Sequence, residues 1–388
     1  EDKSLFIDNG GITNFLIEGD NLAALTLLEK THKGRIDFIY IDPPYNTGAK
    51  DDFFYDDYFV DSNDLFSHSK WLSFMQKRLN IARRLLADEG ICFISIGEQE
   101  LAQLTLLCDE VFDRNNFLTI IARISKTASN KGNHFAPSCD YVVTYARDKS
   151  KIDTSDFYDD VNEDLYTKQE SDGRRYRDDV AFYQSSLDSR PNQRYYIQAP
   201  DGSYLIPPGT SMPLITRDGE KVLPSHKREG VWRWSQEIYF QNKHLLVFKE
   251  TKTSPLITSD GKKAKYNIYT KSYLDVRSLK GVKPRNFLVD KQFLNRRGQD
   301  YIKTLDIDFP YSKPKELIAH LLNITHPKDG AIILDFFAGS GTTGEAVLDK
   351  AAKNYSFILC TNNENDICEE ITYKRIKTVI ENRNYKAS

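Results

Sequence analysis

With 388 residues, 40% of them hydrophobic and 28% charged, the chain is long enough for two or three domains with their own cores and is no small stapled scaffold. Cys92, Cys108, Cys139, Cys360 and Cys368 are scattered, odd in number and without a C-x-x-C pair. That speaks against a disulfide framework or a zinc site, while the lack of a leader pattern or of an apolar run near ~20 residues speaks against a signal peptide and a membrane span, so a cytoplasmic location is expected.

The first elements alternate. Phe15-Leu16-Ile17 reads as a short strand, and Asp20 then opens a helix through Leu22, Leu25 and Leu28. Ile36 to Ile41 is an apolar, β-favouring run stopped by Asp42-Pro43-Pro44, because proline cannot continue a hydrogen-bond ladder. Trp71, Leu72, Met75, Leu79, Ala82, Leu85 and Leu86 repeat at helical spacing, Ile91 to Ile96 is a buried-type strand, and Leu101, Leu104 and Leu107 mark another helix. Such alternation predicts a parallel sheet covered on both faces. From about Lys149 to Lys291 it fails: the sequence turns polar, Tyr-rich and proline-punctuated, as an inserted domain of short β and irregular elements would be. Regularity returns with a strand at Ala331 to Asp335, a glycine turn, a helix through Ala346 to Leu348, a strand at Ser356 to Cys360 and a C-terminal helix, so the chain returns to its first sheet.

Charge is uneven along this plan. The net value is -3, but Arg217 to Lys303 holds 20 Lys+Arg against 9 Asp+Glu, an excess of +11 that leaves -14 for the rest. A basic segment beside an acidic core fits a polyanion partner.

Two runs carry chemistry. Gly339-Ser340-Gly341-Thr342-Thr343-Gly344, between a strand and a helix, suits any nucleotide-like ligand that needs close backbone approach, and alone leaves a nicotinamide enzyme open. Asp42-Pro43-Pro44-Tyr45 is more specific. An exocyclic amine such as adenine N6 is a poor nucleophile because its lone pair is delocalised into the ring. A catalyst must draw on its hydrogens, and a carboxylate (Asp42) with a proline-flanked carbonyl (Pro43) can do so, while Tyr45 offers a ring for an extruded base. Pro43 and Pro44 stiffen the loop.

The run I-D-F-I-Y-I-D-P-P-Y-N-T-G, Ile36 to Gly48, together with L-D-F-F-A-G-S-G-T-T, Leu334 to Thr343, resembles the β-class DNA amino-methyltransferases, and within them the modification subunits of Type III restriction-modification systems. The resemblance spans roughly residues 12 to 148 and 296 to 380. It implies an α/β fold: a Rossmann-like, doubly wound, mostly parallel S-adenosyl-L-methionine (AdoMet) domain with circularly ordered motifs, built from residues 1–148 (catalytic half) and 296–388 (cofactor half). An inserted α+β target-recognition domain occupies 149–295. It implies methyl transfer to adenine N6 in a short DNA sequence by base flipping. Cytosine N4 is the alternative target, and a non-catalytic DNA-binding subunit is the other rival.

Residue by residue, the resemblance places Asp42, Pro43, Pro44 and Tyr45 at the catalytic centre. Asp335, Phe337, Gly339, Ser340, Gly341 and Thr342 fall in the loop around the methionine part of AdoMet, Lys313 of Lys313-Pro314 meets its carboxylate, and Asp20 meets its adenine in preference to being a simple N-cap. The ribose position departs from the pattern: the strand runs into Thr361-Asn362-Asn363-Glu364, so Glu364 from a displaced position, or an asparagine, must serve. Asn46, Thr47 and Gly48, with Phe53, Phe54, Tyr55 and Phe59, resemble the loop that closes on the flipped base. Arg233, Lys263, Lys265, Arg285, Arg296 and Arg297 are the candidate DNA contacts, whereas the tryptophans and tyrosines among them are expected to build the inserted domain's core. Double-stranded DNA, a second copy of the chain and a restriction subunit are the expected partners. No Walker A loop is present, so ATP-driven translocation needs another subunit.

Overall fold

The computed structural model describes residues 11–47, 66–127, 134–184, 190–350 and 352–387. The chain divides into two compact units: residues 1–159 with 283–388, and residues 160–282. In the first, an eight-stranded sheet is formed by β1 (Phe15–Glu18), β2 (Ile36–Ile41), β3 (Leu86–Ile96), β4 (Phe117–Ile124), β5 (Cys139–Ala146), β6 (Phe287–Leu288), β7 (Ile332–Asp335) and β8 (Ser356–Thr361). Their spatial order is β1-β8-β7-β2-β3-β5-β4-β6. The first five are mutually parallel, β5 runs antiparallel to both β3 and β4, and β6 is parallel to β4.

Strand alternation divides the core between two faces. Ile39 and Ile41 of β2 point into one cluster with Leu25 of α1 (Asn21–His32), Met75 and Leu79 of α2 (Ser67–Leu85) and Leu104 of α3 (Leu101–Cys108). Phe38 and Tyr40 point into the other, with Leu317 and Leu321 of α5 (Lys315–Thr325) and Val347 of α6 (Thr342–Leu348). A short α4 (Asn295–Lys303) precedes α5, and α7 (Lys374–Ala387) follows β8. Covering both faces is what lets β2, β3, β7 and β8 be nearly continuous apolar runs. No helix among the described residues is long and apolar enough to cross a membrane.

Residues 149–159 and 283–295 lie with the first unit. Phe287–Leu288 adds a strand beside β4, and the buried Arg123 of β4 donates to the Phe293 carbonyl (2.6 Å) and Asn295 Oδ1 (2.8 Å). These pairings join residues far apart in sequence, which composition along the chain does not reveal.

The second unit holds a four-stranded antiparallel sheet of Leu246–Glu250, Tyr266–Tyr273, Arg175–Ala181 and Lys168–Gln169, a small three-stranded sheet, a two-stranded pair and the helix Gln236–Asn242. Its core is aromatic, as expected: Trp232 is fully buried between Phe182 and Tyr195, beside Tyr239 and Tyr266. Buried Arg194 donates to the carbonyls of Pro207, Ser211 and Gly230, and buried Glu229 accepts the backbone N–H groups of Thr210, Ser211 and Ser225.

Candidate active site

Because β1, β8, β7, β2 and β3 are parallel, their carboxyl ends meet on one edge of the sheet, where open α/β sheets bind ligands. β2 ends at Ile41, just before Asp42, and β7, its neighbour, ends at Asp335, so the two motifs come together from opposite parts of the chain. Asp20 and Thr361 stand at the ends of β1 and β8, tied by the Gly19 N–H donating to the Thr361 carbonyl (2.9 Å).

The Asp42 carboxylate is held on both oxygens. The Tyr45 hydroxyl donates to Oδ1 (3.0 Å), and the Lys313 ammonium donates to Oδ2 (2.7 Å) while lying 4.9 Å from the centre of the Tyr45 ring. Burial, and then the Asp42 charge, push the Tyr45 phenol well above its ordinary pKa, so it stays a hydrogen-bond donor. The rest of the loop is fixed from outside. The buried Trp71 indole donates to the Pro44 carbonyl (2.8 Å), and Asn46, in the left-handed region (φ 56°), donates through Nδ2 to buried Glu100, whose same oxygen meets His68 Nδ1 at 2.7 Å.

The glycine turn follows β7. Gly339 (φ 51°) and Gly341 (φ 76°) adopt the left-handed conformations that glycine permits, and Asp335 anchors the turn from below, accepting from the Phe337 N–H (3.0 Å) and the Thr343 hydroxyl. Asp335 is only 2% exposed. Burial raises its pKa to about 7, against the lowering by those two hydrogen bonds, with the Asp42 charge adding to the rise. Ser340 and Thr342 are gripped by fully buried Arg375, whose Nη1 donates to Ser340 Oγ (2.9 Å), Thr342 Oγ1 (2.8 Å) and Ser312 Oγ (3.2 Å), while Nε donates to Glu345 (2.8 Å). A narrow cleft of about 60 Å³ is lined by Asp42, Lys313, Asp335, Phe337, Gly339 and Ser340, among others. A larger cavity of about 570 Å³, bounded by Phe93, Ile121, Thr144, Ile152, Phe157 and Arg285, contains none of the motif residues.

The structure thus brings Asp42, Lys313 and the Asp335–Thr342 turn together at one cleft, with Tyr45 bonded to Asp42. Asp20 caps α1, accepting from the Ala23 N–H (3.0 Å) and from Arg78 (3.2 Å), and its side chain stays 61% exposed. At the end of β8, Glu364 is exposed, whereas Asn362 keeps a buried Oδ1 with no hydrogen-bond partner. The expected DNA contacts are divided. Arg233 (bonded to the Ala181 carbonyl), Lys263 and Lys265 (paired with Glu250) belong to the second unit; Arg285, Arg296 (paired with Asp300) and Arg297 belong to the first. Gly48, Phe53, Phe54, Tyr55 and Phe59 lie outside the described residues. Sequence reasoning missed Trp71, Glu100, Ser312, Glu345 and Arg375. Each acts on the site across a long sequence separation, and only Trp71 sits in a pattern that the sequence exposed, as part of a helical apolar stripe.

Residues 36–373 match the family model of the DNA methylases. The chain belongs to that family. It is 31% identical to the Mod subunit of the Type III restriction-modification enzyme EcoPI of Escherichia phage P1, with 96% of this chain and 63% of that one covered. It is 30% identical to the probable Type III HindVI Mod subunit of Haemophilus influenzae (95% and 51% covered) and 33% identical to the Type II methyltransferase M.KpnI of Klebsiella pneumoniae (84% and 75% covered). This DNA methylase chain therefore spans about half to just under two thirds of the length of those two Type III relatives.

Proposed function

We propose that this DNA methylase transfers a methyl group from S-adenosyl-L-methionine to N6 of an adenine flipped out of a short sequence in double-stranded DNA, as the modification component of a restriction-modification system. The observation that carries this reading is the Asp42–Tyr45 loop at the end of β2 directly beside the Asp335–Thr342 turn at the end of β7. The Asp42 carboxylate and the Pro43 carbonyl accept the hydrogens of the amine, concentrating its lone pair, and Tyr45 supplies a ring for the base. Pro44, locked by Trp71, fixes the loop. No residue forms a covalent bond; the chain contributes position and electrostatics.

The residues present fit the cofactor. AdoMet, when bound, supplies the activated methyl group. The backbone of Phe337, Gly339, Ser340, Gly341 and Thr342, anchored by Asp335, holds its amino-acid end, Lys313 meets the carboxylate, and Asp20, Thr361 and Asn362 serve the nucleoside end. The unpartnered buried Oδ1 of Asn362 favours it over exposed Glu364 as the acceptor for a ribose hydroxyl, because a buried polar atom without a partner costs about 1–3 kcal/mol. Asn46, Arg233, Lys263, Lys265, Arg285, Arg296 and Arg297 supply DNA contacts, chiefly to phosphates. A restriction subunit and a second copy of the chain are the proposed protein partners, the former suggested by the names of the Type III relatives.

Cytosine N4 could enter the same site, and an acidic Asp42 where a serine would mark that activity favours adenine. Incubating oligonucleotides with labelled AdoMet and identifying the modified base tests both. Asp42→Ala should abolish transfer without loss of cofactor binding; label on N4 of cytosine, or an active Asp42→Ala enzyme, refutes the reading.

A further inference from the structure

We propose that Lys313 couples cofactor loading to the readiness of Asp42, exchanging its ammonium between the Asp42 carboxylate and the carboxylate of the cofactor's amino-acid tail. The inference rests on the reading of Asp42 as the group that accepts the amine. Four observations carry it.

First, both Asp42 oxygens already accept a donor, Oδ1 from Tyr45 and Oδ2 from Lys313, and the ammonium offsets the charge that would draw on an amine's hydrogens, so lysine and amine compete for one carboxylate. Second, Lys313 is the only Lys, Arg or His among the described residues lining the cleft, which it shares with the Asp42 carboxylate. A ligand carboxylate entering there meets repulsion from Asp42 unless that one cation turns to it. Third, the backbone of Lys313 is pinned: Gly298 of α4 lies so close that a Cβ there would stand 2.4 Å from the Ser312 carbonyl oxygen and 2.5 Å from that of Lys313. Movement is thus confined to the four-carbon stem, and a compact ammonium on a flexible stem suits a change of partner better than a rigid guanidinium fork. Fourth, the pair is neither buried nor free, the two side chains being 13% and 22% exposed. An ion pair so placed is worth little enough to be broken by a competing carboxylate and enough to register in affinity.

Lys313 is then a positioning residue for the amine-accepting group as well as a contact for the cofactor. While it stays on Asp42 it neutralises the carboxylate and shields the Tyr45 ring. Once it turns to the tail, the Asp42 carboxylate keeps its full charge for the base, so DNA is engaged productively after the cofactor.

The test is calorimetric binding of S-adenosylhomocysteine, whose sulfur is uncharged, and of methylthioadenosine, which lacks the carboxylate. Asp42→Asn keeps an oxygen for the Tyr45 hydroxyl but releases the lysine, so it should bind S-adenosylhomocysteine more tightly than the wild type, on the order of five- to tenfold. Its affinity for methylthioadenosine should be unchanged. Lys313→Met should weaken S-adenosylhomocysteine only, and Asp42→Asn added to it should have no further effect. Asp42→Ser gives the same comparison where circular dichroism shows the Asn variant misfolded. Unchanged or weaker S-adenosylhomocysteine binding by both Asp42 variants, or equal tightening of methylthioadenosine, overturns the exchange. A wild-type protein that binds neither compound overturns the AdoMet reading itself, a failure distinct from the first.

Discussion

Replacing Asp335 by Asn should make the protein's stability less sensitive to pH, and by a calculable amount. The carboxyl is 2% exposed and its pKa is raised from 3.8 to about 7, so ionising it in the folded state costs roughly 3 units at 1.36 kcal/mol each, about 4 kcal/mol. The sign follows from proton linkage. Between pH 3.8 and about 7 the folded protein holds a proton that the unfolded chain has lost, so this group's contribution is complete below 3.8 and disappears as pH rises through about 7. Asparagine has nearly the same shape: its oxygen can accept from the Phe337 N–H, and its amide can donate to the Thr343 hydroxyl, which must then turn to accept. Near pH 3.5, where Asp335 is protonated in both the folded and the unfolded chain, variant and wild type should unfold in urea within about 1 kcal/mol of each other. At pH 8 the variant should be the more stable by up to about 4 kcal/mol, the difference growing from pH 3.8 to about 7 and levelling off above it. A difference that stays flat from pH 5 to pH 8 would show that Asp335 is not a buried acid in the sense argued, and the account of the turn's anchorage would fall with it.

Other substitutions probe separate parts of the molecule. Trp71→Phe removes the donor to the Pro44 carbonyl, leaving that group without its partner at about 1–3 kcal/mol; methylation should slow by roughly tenfold while S-adenosylhomocysteine affinity measured by calorimetry stays the same. Gly298→Ala, a substitution that favours a helix elsewhere, should destabilise by about 1–3 kcal/mol in thermal unfolding, because its methyl must displace the Ser312–Lys313 backbone. Glu229→Gln should destabilise the second unit. Burial raises the Glu229 pKa, but hydrogen bonds from Ser211, Ser225 and Thr210 outweigh it and hold the carboxyl at about 2. The depression from 4.5 corresponds to about 3 kcal/mol that is present at pH 7 and lost as pH falls from 4.5 towards 2, so the gap between wild type and variant in urea unfolding should close over that range.

The sheet was legible where one residue type settles the matter. Pro43 and Pro44 end β2 because they cannot continue a ladder, so the position of Asp42 at a strand mouth follows from four letters. Glycines at 339 and 341 announce a turn that needs left-handed backbone, and the structure has it at both positions. Asp20 was harder: the same carboxylate caps a helix and faces outward, and only geometry shows that capping leaves most of the side chain exposed. The supports were not legible at all. Nothing local to Glu100, Ser312 or Arg375 separates them from ordinary surface polar residues, since their significance comes from partners that the fold brings in from distant segments. The limits of the inserted unit share that cause, for Phe287–Leu288 joins the large sheet through a partner more than a hundred residues earlier.

The pairing of β2 with β7 has a consequence for how the protein comes into being. The Asp37 side chain accepts from the Ile332 N–H across 295 residues, so the two strands that frame the cleft cannot meet until synthesis is nearly past β7. Loop-closure entropy rises only slowly with length, about 0.6 kcal/mol for each doubling, so prior folding of the second unit shortens the effective loop at little thermodynamic benefit. Its effect is on timing instead. Until β7 is made, a nascent chain carries the Asp42–Tyr45 loop on an unfinished sheet, with that edge of β2 unprotected. Such a chain holds every letter of the Asp42–Tyr45 loop and none of the turn that faces it, so the cleft is completed only when β7 arrives.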